Sequence, residues 1–458
     1  MAKDNKDISK GLAIVLLIVI LLVSESVIYY NATQKYGFHI DELLSFGHSN
    51  SSNGAYLFPI KVSGLVIDEN DSLYNHWIDP IVFWDYLTVQ ESEVFNYSEI
   101  KNNLSDSVHP PLYYFILHTV CSFFPETFSK WLGIIPNMAL FSLVLVFLFK
   151  LSWLTLGSRR KSLLVCAVYG FSIEAVNTTI FIRSYLLLTL ITLLLVLETI
   201  KFLLDSELNI TRLITIFIFA MLGLLTHYYF YIFLVIFSIL VFIYLLLNNK
   251  TRMLYSFMGI VGFAILISFF LSPNVLRHLF FSTRGLEAVF RALVGLLTLG
   301  CLTANALLVY RIIRKNNKSR ELPTIPETFN KVKNDLGTKL SQSPNNDLLF
   351  ILLFITIIMV AIVIKMVAPG MDVHSDRYYF NLFPLLCLTG ITLIFSLGNR
   401  YKLGEKAPLI ISSILLILSI SSNLFLRSAY LFPVSENREL LNNEIEDSIC
   451  LLVLSEDS

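Results

Sequence analysis

Runs of apolar residues long enough to cross a lipid bilayer dominate this chain and confine it to one broad class. A membrane-crossing helix needs about 20 consecutive, mainly apolar residues. Such runs recur near 11–30, 131–150, 162–180, 183–201, 212–226, 228–248, 253–271, 288–310, 347–367, 378–397 and 408–426. The expected fold is therefore an all-α polytopic membrane protein with about eleven transmembrane helices. Composition agrees: 55% of residues are hydrophobic and 15% charged, against roughly 25% charged in soluble domains. A fully soluble enzyme is excluded. The first run follows Lys3, Lys6 and Lys10 and leads into Ser24-Glu25-Ser26 rather than a small-x-small cleavage site. It is expected to remain as an uncleaved signal anchor.

The placement of charge orients these helices. The N-terminus, 150–161, 201–212, 249–252, 311–346 and 398–407 hold 22 of the 34 Lys and Arg residues. The 31–130 loop holds only Lys35, Lys61, Lys101 and Lys130, together with twelve acidic residues. Cytoplasmic loops carry the excess of Lys and Arg. The N-terminus is thus expected in the cytoplasm and the 31–130 loop outside, in a multi-pass protein of the cell membrane. Residues 1–430 form one transmembrane domain, 311–346 a cytoplasmic linker and 431–458 a short extracytoplasmic tail. Two tight hairpins are expected, at Arg183 and at Thr226-His227-Tyr228. The acidic and basic totals balance at 34 each, so net charge gives no reason to expect a nucleic-acid partner. Five dispersed cysteines form neither a disulfide framework nor a metal-ligand spacing.

Several polar residues stand where chemistry could occur. Asp41-Glu42 lies just beyond the first span. Two acids there can simply favour a helix N-terminus, or one can serve as a general base at headgroup depth. The outer loop closes with Val108-His109-Pro110-Pro111-Leu112-Tyr113-Tyr114. Its prolines fix an extended entry into a short helix. That helix is too short to span before Pro125, so it is expected to lie in the interface. Arg183 and Arg377 each sit at the end of an apolar run. Either can snorkel, but both fall on the same expected face as Asp41, His109 and His227. Two arginines there suit a phosphate through paired, charged hydrogen bonds.

In this order, Asp41-Glu42, His109-Pro110-Pro111-Leu112-Tyr113-Tyr114, Arg183-Ser184-Tyr185, Thr226-His227-Tyr228-Tyr229 and Arg377-Tyr378-Tyr379 resemble the bacterial branch of the protein mannosyltransferase-like, family 39-type glycosyltransferases. Those enzymes have the GT-C fold, and the lipid A aminoarabinose transferases are relatives. The resemblance runs over about residues 8–440. It implies transfer of a sugar from a polyprenyl-phosphate donor to a glycan, lipid or protein acceptor on the extracytoplasmic face, with inversion. It implies a catalytic site at Asp41 with Glu42 beside it, and donor phosphate contacts from His109, Arg183 and Arg377. Tyr113, Tyr114, Tyr185, His227 and Tyr378 would contact substrate. No cofactor is required, although Asp41 and Glu42 as ligands to a divalent metal stay open as an alternative. The sequence also departs from its relatives. Many of them carry a Gln/Ser-Glu-Ala pattern before the arginine, where this chain has Ile180-Phe181-Ile182, with Glu174 the nearest acid.

Two other classes use similar parts. A lipid-linked-glycan transporter or flippase would also have many helices and interfacial arginines. It has no need of an acidic outer loop with an aspartate beside the first span, and the matched, broken helices of many transporters are not visible. A cell-surface glycan polymerase or ligase shares the donor lipid but typically places its large outer loop late in the chain.

Overall fold

The structure is a computed structural model that describes residues 7–52, 54, 80–105, 109–272, 345–367, 375–404, 406–426, 428, 430 and 431. Among these the only regular structure is helical. Seven helices are long and apolar enough to cross a membrane, and an eighth crossing is made if one bent pair counts as a single span.

Helix α1 (Lys10–Thr33) begins where Ser9 accepts the Leu12 N–H at 3.2 Å. Next come α2 (Ile40–Asn50), α3 (Pro80–Leu87), α4 (Ser98–Asn103) and α5 (Leu112–Ser122). All four are too short to cross a bilayer. The long α6 (Trp131–Leu156) passes through Pro136 and stops at Gly157, whose φ of 67° is left-handed. That conformation costs glycine little, because it has no Cβ.

The expected span 162–180 is two helices, α7 (Arg159–Gly170) and α8 (Ile173–Ile180), bent by 60°. The bend has a local cause. Ser172 caps α8 by accepting the Ala175 N–H at 3.2 Å. The backbone freed at the break is bonded by a later helix, α15 (Lys406–Phe425): Asn423 donates to the Phe171 carbonyl, and Ser422 Oγ accepts the Ile173 N–H at 3.3 Å. Non-helical backbone at membrane depth requires such internal partners.

Between them lie α9 (Tyr185–Leu204), α10 (Ile210–Leu224), α11 (Phe230–Leu247), α12 (Thr251–Leu271), α13 (Asn345–Val367) and α14 (Phe383–Arg400), the last preceded by a 3-10 segment, Ser375–Leu382. The run expected at 212–226 is α10, set two residues earlier in the chain, because its final residues form the turn that carries His227. The expected count of eleven is not reached among the described residues. The span at 288–310, the linker expected at 311–346 up to residue 344, 55–79 of the first loop and nearly all of the 431–458 tail lie outside them.

Burial grades from the centre outward. About 83% of the α9 span is enclosed, but only 17% of α1 and 11% of α15. Both outer helices expose apolar side chains along their length, including Val15, Val19, Leu22, Ile410, Ile414 and Leu418. So broad an apolar surface is unsuited to water and suited to lipid.

The chain ends of these helices sort by chemistry. One end of the bundle carries Asp7, Arg159–Lys161, the Asp205–Arg212 ion pair, Lys250 and the α14–α15 turn. The other end carries Lys35, α2, the α8–α9 and α10–α11 turns and the 3-10 segment.

Candidate functional site

Asp41 is placed by the start of α2. His39 is the N-cap: its Nδ1 accepts the Asp41 N–H at 3.1 Å, while Glu42 Oε2 accepts the His39 N–H at 2.7 Å. This reciprocal cap satisfies backbone donors that a helix start leaves free. Neighbouring residues on a helix point about 100° apart, so the two carboxylates face different surroundings.

Glu42 is wholly enclosed. Its Oε1 accepts the Ile182 N–H at 2.9 Å, and its Oε2 also meets Lys35 Nζ at 2.9 Å. Lys35 is equally enclosed and donates to the Tyr430 carbonyl at 2.7 Å. Burial pulls the Lys35 ammonium below its usual range and pushes the Glu42 carboxyl above its own, and the attraction between them opposes both shifts. The pair ties the exit of α1, the start of α2, the α8–α9 turn and the return of the chain after α15 into one knot.

Asp41 faces the arginines. Its Oδ2 lies 2.9 Å from Arg377 Nη1. Burial raises its proton affinity, but Arg183, Arg377, His39 and His227 together outweigh that and leave its pKa below the usual 3.8. The carboxylate is therefore ionised at neutral pH. Arg377 is held there by charge: neither its Nη1 nor its Nε makes a hydrogen bond, while Nη2 lies 3.5 Å from the Tyr378 hydroxyl.

Arg183 comes from the turn between α8 and α9. Asn137 on α6 grips that turn, donating to the carbonyls of Thr179 (3.0 Å) and Phe181 (3.2 Å). Gly133 lets Ile182 press against α6; a Cβ there would lie 2.2 Å from Ile182 Cγ2. So anchored, Arg183 is buried and donates from Nη1 to Ser45 Oγ (3.0 Å), the Asp41 carbonyl (3.2 Å) and the Tyr114 hydroxyl (3.4 Å). Its Nη2 lies 3.3 Å from His109 Nε2. A guanidinium only donates, so this His109 nitrogen is the acceptor.

The proline entry to α5 is docked where the Leu112 N–H donates to the Leu225 carbonyl at 2.9 Å. This bond joins the end of the α4–α5 connection to the site and sets His109 beside the α10–α11 turn. The His109 ring is 6.5 Å from that of His227, and Tyr185 is 5.2 Å from His227 and 6.4 Å from Tyr378. His227 Nδ1 accepts the Tyr229 N–H at 3.1 Å. Burial, reinforced by the positive Arg183 and Arg377, holds its pKa down to about 3. His227 is therefore neutral at physiological pH, with its proton on Nε2 as a donor.

Of the residues singled out in the sequence, Asp41, His109, Tyr114, Arg183, Tyr185, His227, Arg377 and Tyr378 form one cluster. Tyr113 stands behind it, with its ring 5.9 Å from Tyr114 and its hydroxyl enclosed without a hydrogen bond. Glu42 faces the Lys35 knot instead. Sequence reasoning passed over Lys35, His39, Ser45 and Tyr430. A lysine seven residues before a glutamate was the one local signal for the knot; Tyr430 gave none. No three His, Cys, Asp or Glu side chains among the described residues are grouped to hold a metal ion. Counting Arg, Lys, Asp and Glu, the knot is neutral and the cluster of Asp41, Arg183 and Arg377 carries one net positive charge.

Neither a scan against models of known protein families nor a search of the curated proteins finds a match to this chain.

Proposed function

We propose that this chain is an integral membrane glycosyltransferase of the GT-C type, similar to the protein mannosyltransferase-like enzymes. It moves a sugar from a polyprenyl-phosphate donor to an acceptor on the extracytoplasmic face. In this reading the chain crosses the membrane about eleven times, with its N-terminus in the cytoplasm. The observation that carries the proposal is the ionised Asp41 set between two arginines, Arg377 at 2.9 Å from its carboxylate and Arg183 beneath its backbone. The ordered motifs supply the rest of the support.

The chemistry follows from the charges. A sugar linked to a polyprenyl phosphate is a phosphodiester with one negative charge, which matches the net charge of the cluster. As the bond from the anomeric carbon to the phosphate oxygen breaks, its electron pair passes to the phosphate. Charge grows there, in a poorly hydrated site where fixed positive groups act most strongly. The acceptor oxygen bonds to the opposite face of the sugar and gives its proton to Asp41. One displacement inverts the anomeric centre. Arg377 is shared between Asp41 and the phosphate, so a phosphate that recruits Arg377 loosens its hold on the carboxylate and raises its proton affinity. His227 Nε2, a neutral donor, can hydrogen-bond the sugar or phosphate without adding charge.

The test is transfer from a synthetic polyprenyl-phosphate sugar by purified protein, with donor binding measured alongside and a chelator present. Asp41→Asn is expected to lower kcat about 10²-fold or more, the usual scale for loss of a general base. Donor binding should be kept or tightened, because the carboxylate that competes for Arg377 is gone. Full transfer by this variant would remove Asp41 from the mechanism. Loss of wild-type transfer on adding chelator alone would favour a metal-dependent role for the acids.

A further inference from the structure

At the end of the bundle remote from Asp41, an apolar groove runs between α1 and α15. Its floor is α7 and Phe395 of α14, and its volume is about 430 Å³. Leu16 and Val19 form one wall, Leu409 the other, and Leu163 and Leu164 the base. The wall residues are also exposed on the outer face of the bundle, Val19 at 49% and Leu409 at 54%. The groove therefore opens sideways, toward the surroundings of the helices. Ile20, the last α1 residue in its lining, precedes the end of α1 at Thr33 by 13 residues, about 20 Å of helix.

Arg160 and Lys161 stand in its lining, at the start of α7. Their neighbour Arg159 is paired with Asp7, whose carboxylate also accepts the Arg159 and Arg160 backbone N–H groups at 2.9 and 3.2 Å. Among the described residues Asp7 thus serves the helix start and Arg159, and no carboxylate is paired with the side chains of Arg160 or Lys161. The Lys161 ammonium instead sits 4.6 Å over the Phe395 ring. The groove thus combines a laterally open apolar channel with two cations at its lining that have no acidic partner among the described residues.

We propose that this groove binds one phospholipid with an anionic headgroup. An acyl chain lies between α1 and α15, and the phosphate rests between Arg160 and Lys161. A water-soluble anion would gain nothing from the apolar walls. A neutral or zwitterionic lipid would fill the groove but leave the two cations without net countercharge. Basic residues beside a membrane-spanning helix attract anionic lipid in this way, and a lysine stem can cover apolar surface while its head meets the phosphate. The site makes no use of the proposed transfer reaction and stands or falls apart from it.

The full-length protein is released from mixed vesicles of dioleoyl phosphatidylglycerol and dioleoyl phosphatidylcholine in equal amounts, and retained lipid is counted by native mass spectrometry. The wild type is expected to retain one phosphatidylglycerol at roughly tenfold preference. The double variant Arg160→Gln/Lys161→Gln should lose that preference. Arg400→Gln/Lys402→Gln, which changes two other basic residues outside the groove, should keep it. Location is read separately: a bimane label on Leu409→Cys should be quenched by brominated phosphatidylglycerol more than by brominated phosphatidylcholine at equal mole fraction. Quenching of that label in the Arg160→Gln/Lys161→Gln background should become equal for the two lipids. The proposal is overturned if the double variant retains phosphatidylglycerol as the wild type does, if the two control changes abolish the preference equally, or if the label does not distinguish the two lipids.

Discussion

Replacing Lys35 by Met should be among the most destabilising single changes in the chain, and the reason lies in its partner. Lys35 and Glu42 are both fully enclosed, 2.9 Å apart. Met at position 35 has similar length and fills the same space, so little packing is lost. What remains is a buried carboxylate whose donors are reduced to the N–H groups of His39 and Ile182. Removing one partner of a buried ion pair costs about 3–5 kcal/mol. Glu42→Gln should cost a similar amount for the converse reason: the enclosed Lys35 ammonium loses its countercharge, and the new amide N–H₂ must face a donor. The double variant Lys35→Met/Glu42→Gln removes both charges. Its main deficit is the lost hydrogen bond from the ammonium to the Tyr430 carbonyl, about 1.5–3 kcal/mol for a bond to a charged group. The two single costs would add to about 6–10 kcal/mol, again on the buried-pair scale, so the double-mutant cycle should reveal a coupling of at least about 3 kcal/mol. Equilibrium unfolding in mixed micelles, with rising mole fraction of dodecyl sulfate, measures all four corners. Single costs below about 1 kcal/mol, the range of exposed pairs, would mean that water reaches the knot. A double variant as unstable as the sum would mean that the two side chains act independently.

Three further outcomes follow from the same geometry. If the proposed transfer is the reaction, Arg183→Ala and Arg377→Ala should each raise the donor KM and lower kcat, because charge would grow on the donor phosphate; lysine at either position should restore only part, since a point charge lacks the paired donors of the guanidinium. Normal transfer by both alanine variants would leave these arginines as structural anchors. Acid should weaken the fold through His48 and His227, whose pKa values burial holds down to about 4 and about 3 against an ordinary 6.5. A depressed folded-state pKa gives stability that is complete above 6.5 and fades as pH falls toward the folded value, so each histidine should account for about 2 kcal/mol lost between pH 7 and pH 5. Asp41, depressed below 3.8, contributes only to losses at still lower pH, and Glu42, raised by burial, acts in the opposite sense. The readout is therefore a difference: melting temperatures of His227→Gln should fall less between pH 7 and pH 5 than those of the wild type, and equal slopes would refute the assignment. Finally, in intact cells an impermeant thiol reagent should label Glu91→Cys but not Ser206→Cys, both being exposed positions; the reverse pattern would invert the proposed orientation.

Much of the site could be read from the sequence because its charged members stand at the ends of apolar runs. Arg183, His227 and Arg377 each interrupt or border such a run, and membrane-spanning helices return their ends to two common surfaces. That constraint alone brings distant residues to one level, and the cluster of Asp41, His109, Arg183, His227 and Arg377 is its result. What it cannot supply is the direction in which a side chain points. Asp41 and Glu42 are neighbours with nearly the same chemistry, and in the sequence they form a single acidic pair. One step of helix separates an ionised carboxylate beside two arginines from a carboxylate enclosed in a neutral knot. The difference depends on Lys35, on the backbone of Ile182 and on Tyr430, which lies 395 residues beyond Lys35. The bend between α7 and α8 escaped notice for a related reason. Residues 162–180 read as one apolar run, and the partners that let the backbone break at Phe171 are Ser422 and Asn423, polar residues at the end of α15. In both places a polar group from a distant segment decides the geometry, and hydrophobic periodicity carries no record of which segment that will be. The two are also mechanically linked. The bend directs α8 toward the turn that holds Arg183, and Glu42 fixes the same turn through Ile182. Arg183 is thus set by contacts at both ends of α8, which makes its position a property of the bundle rather than of its own motif.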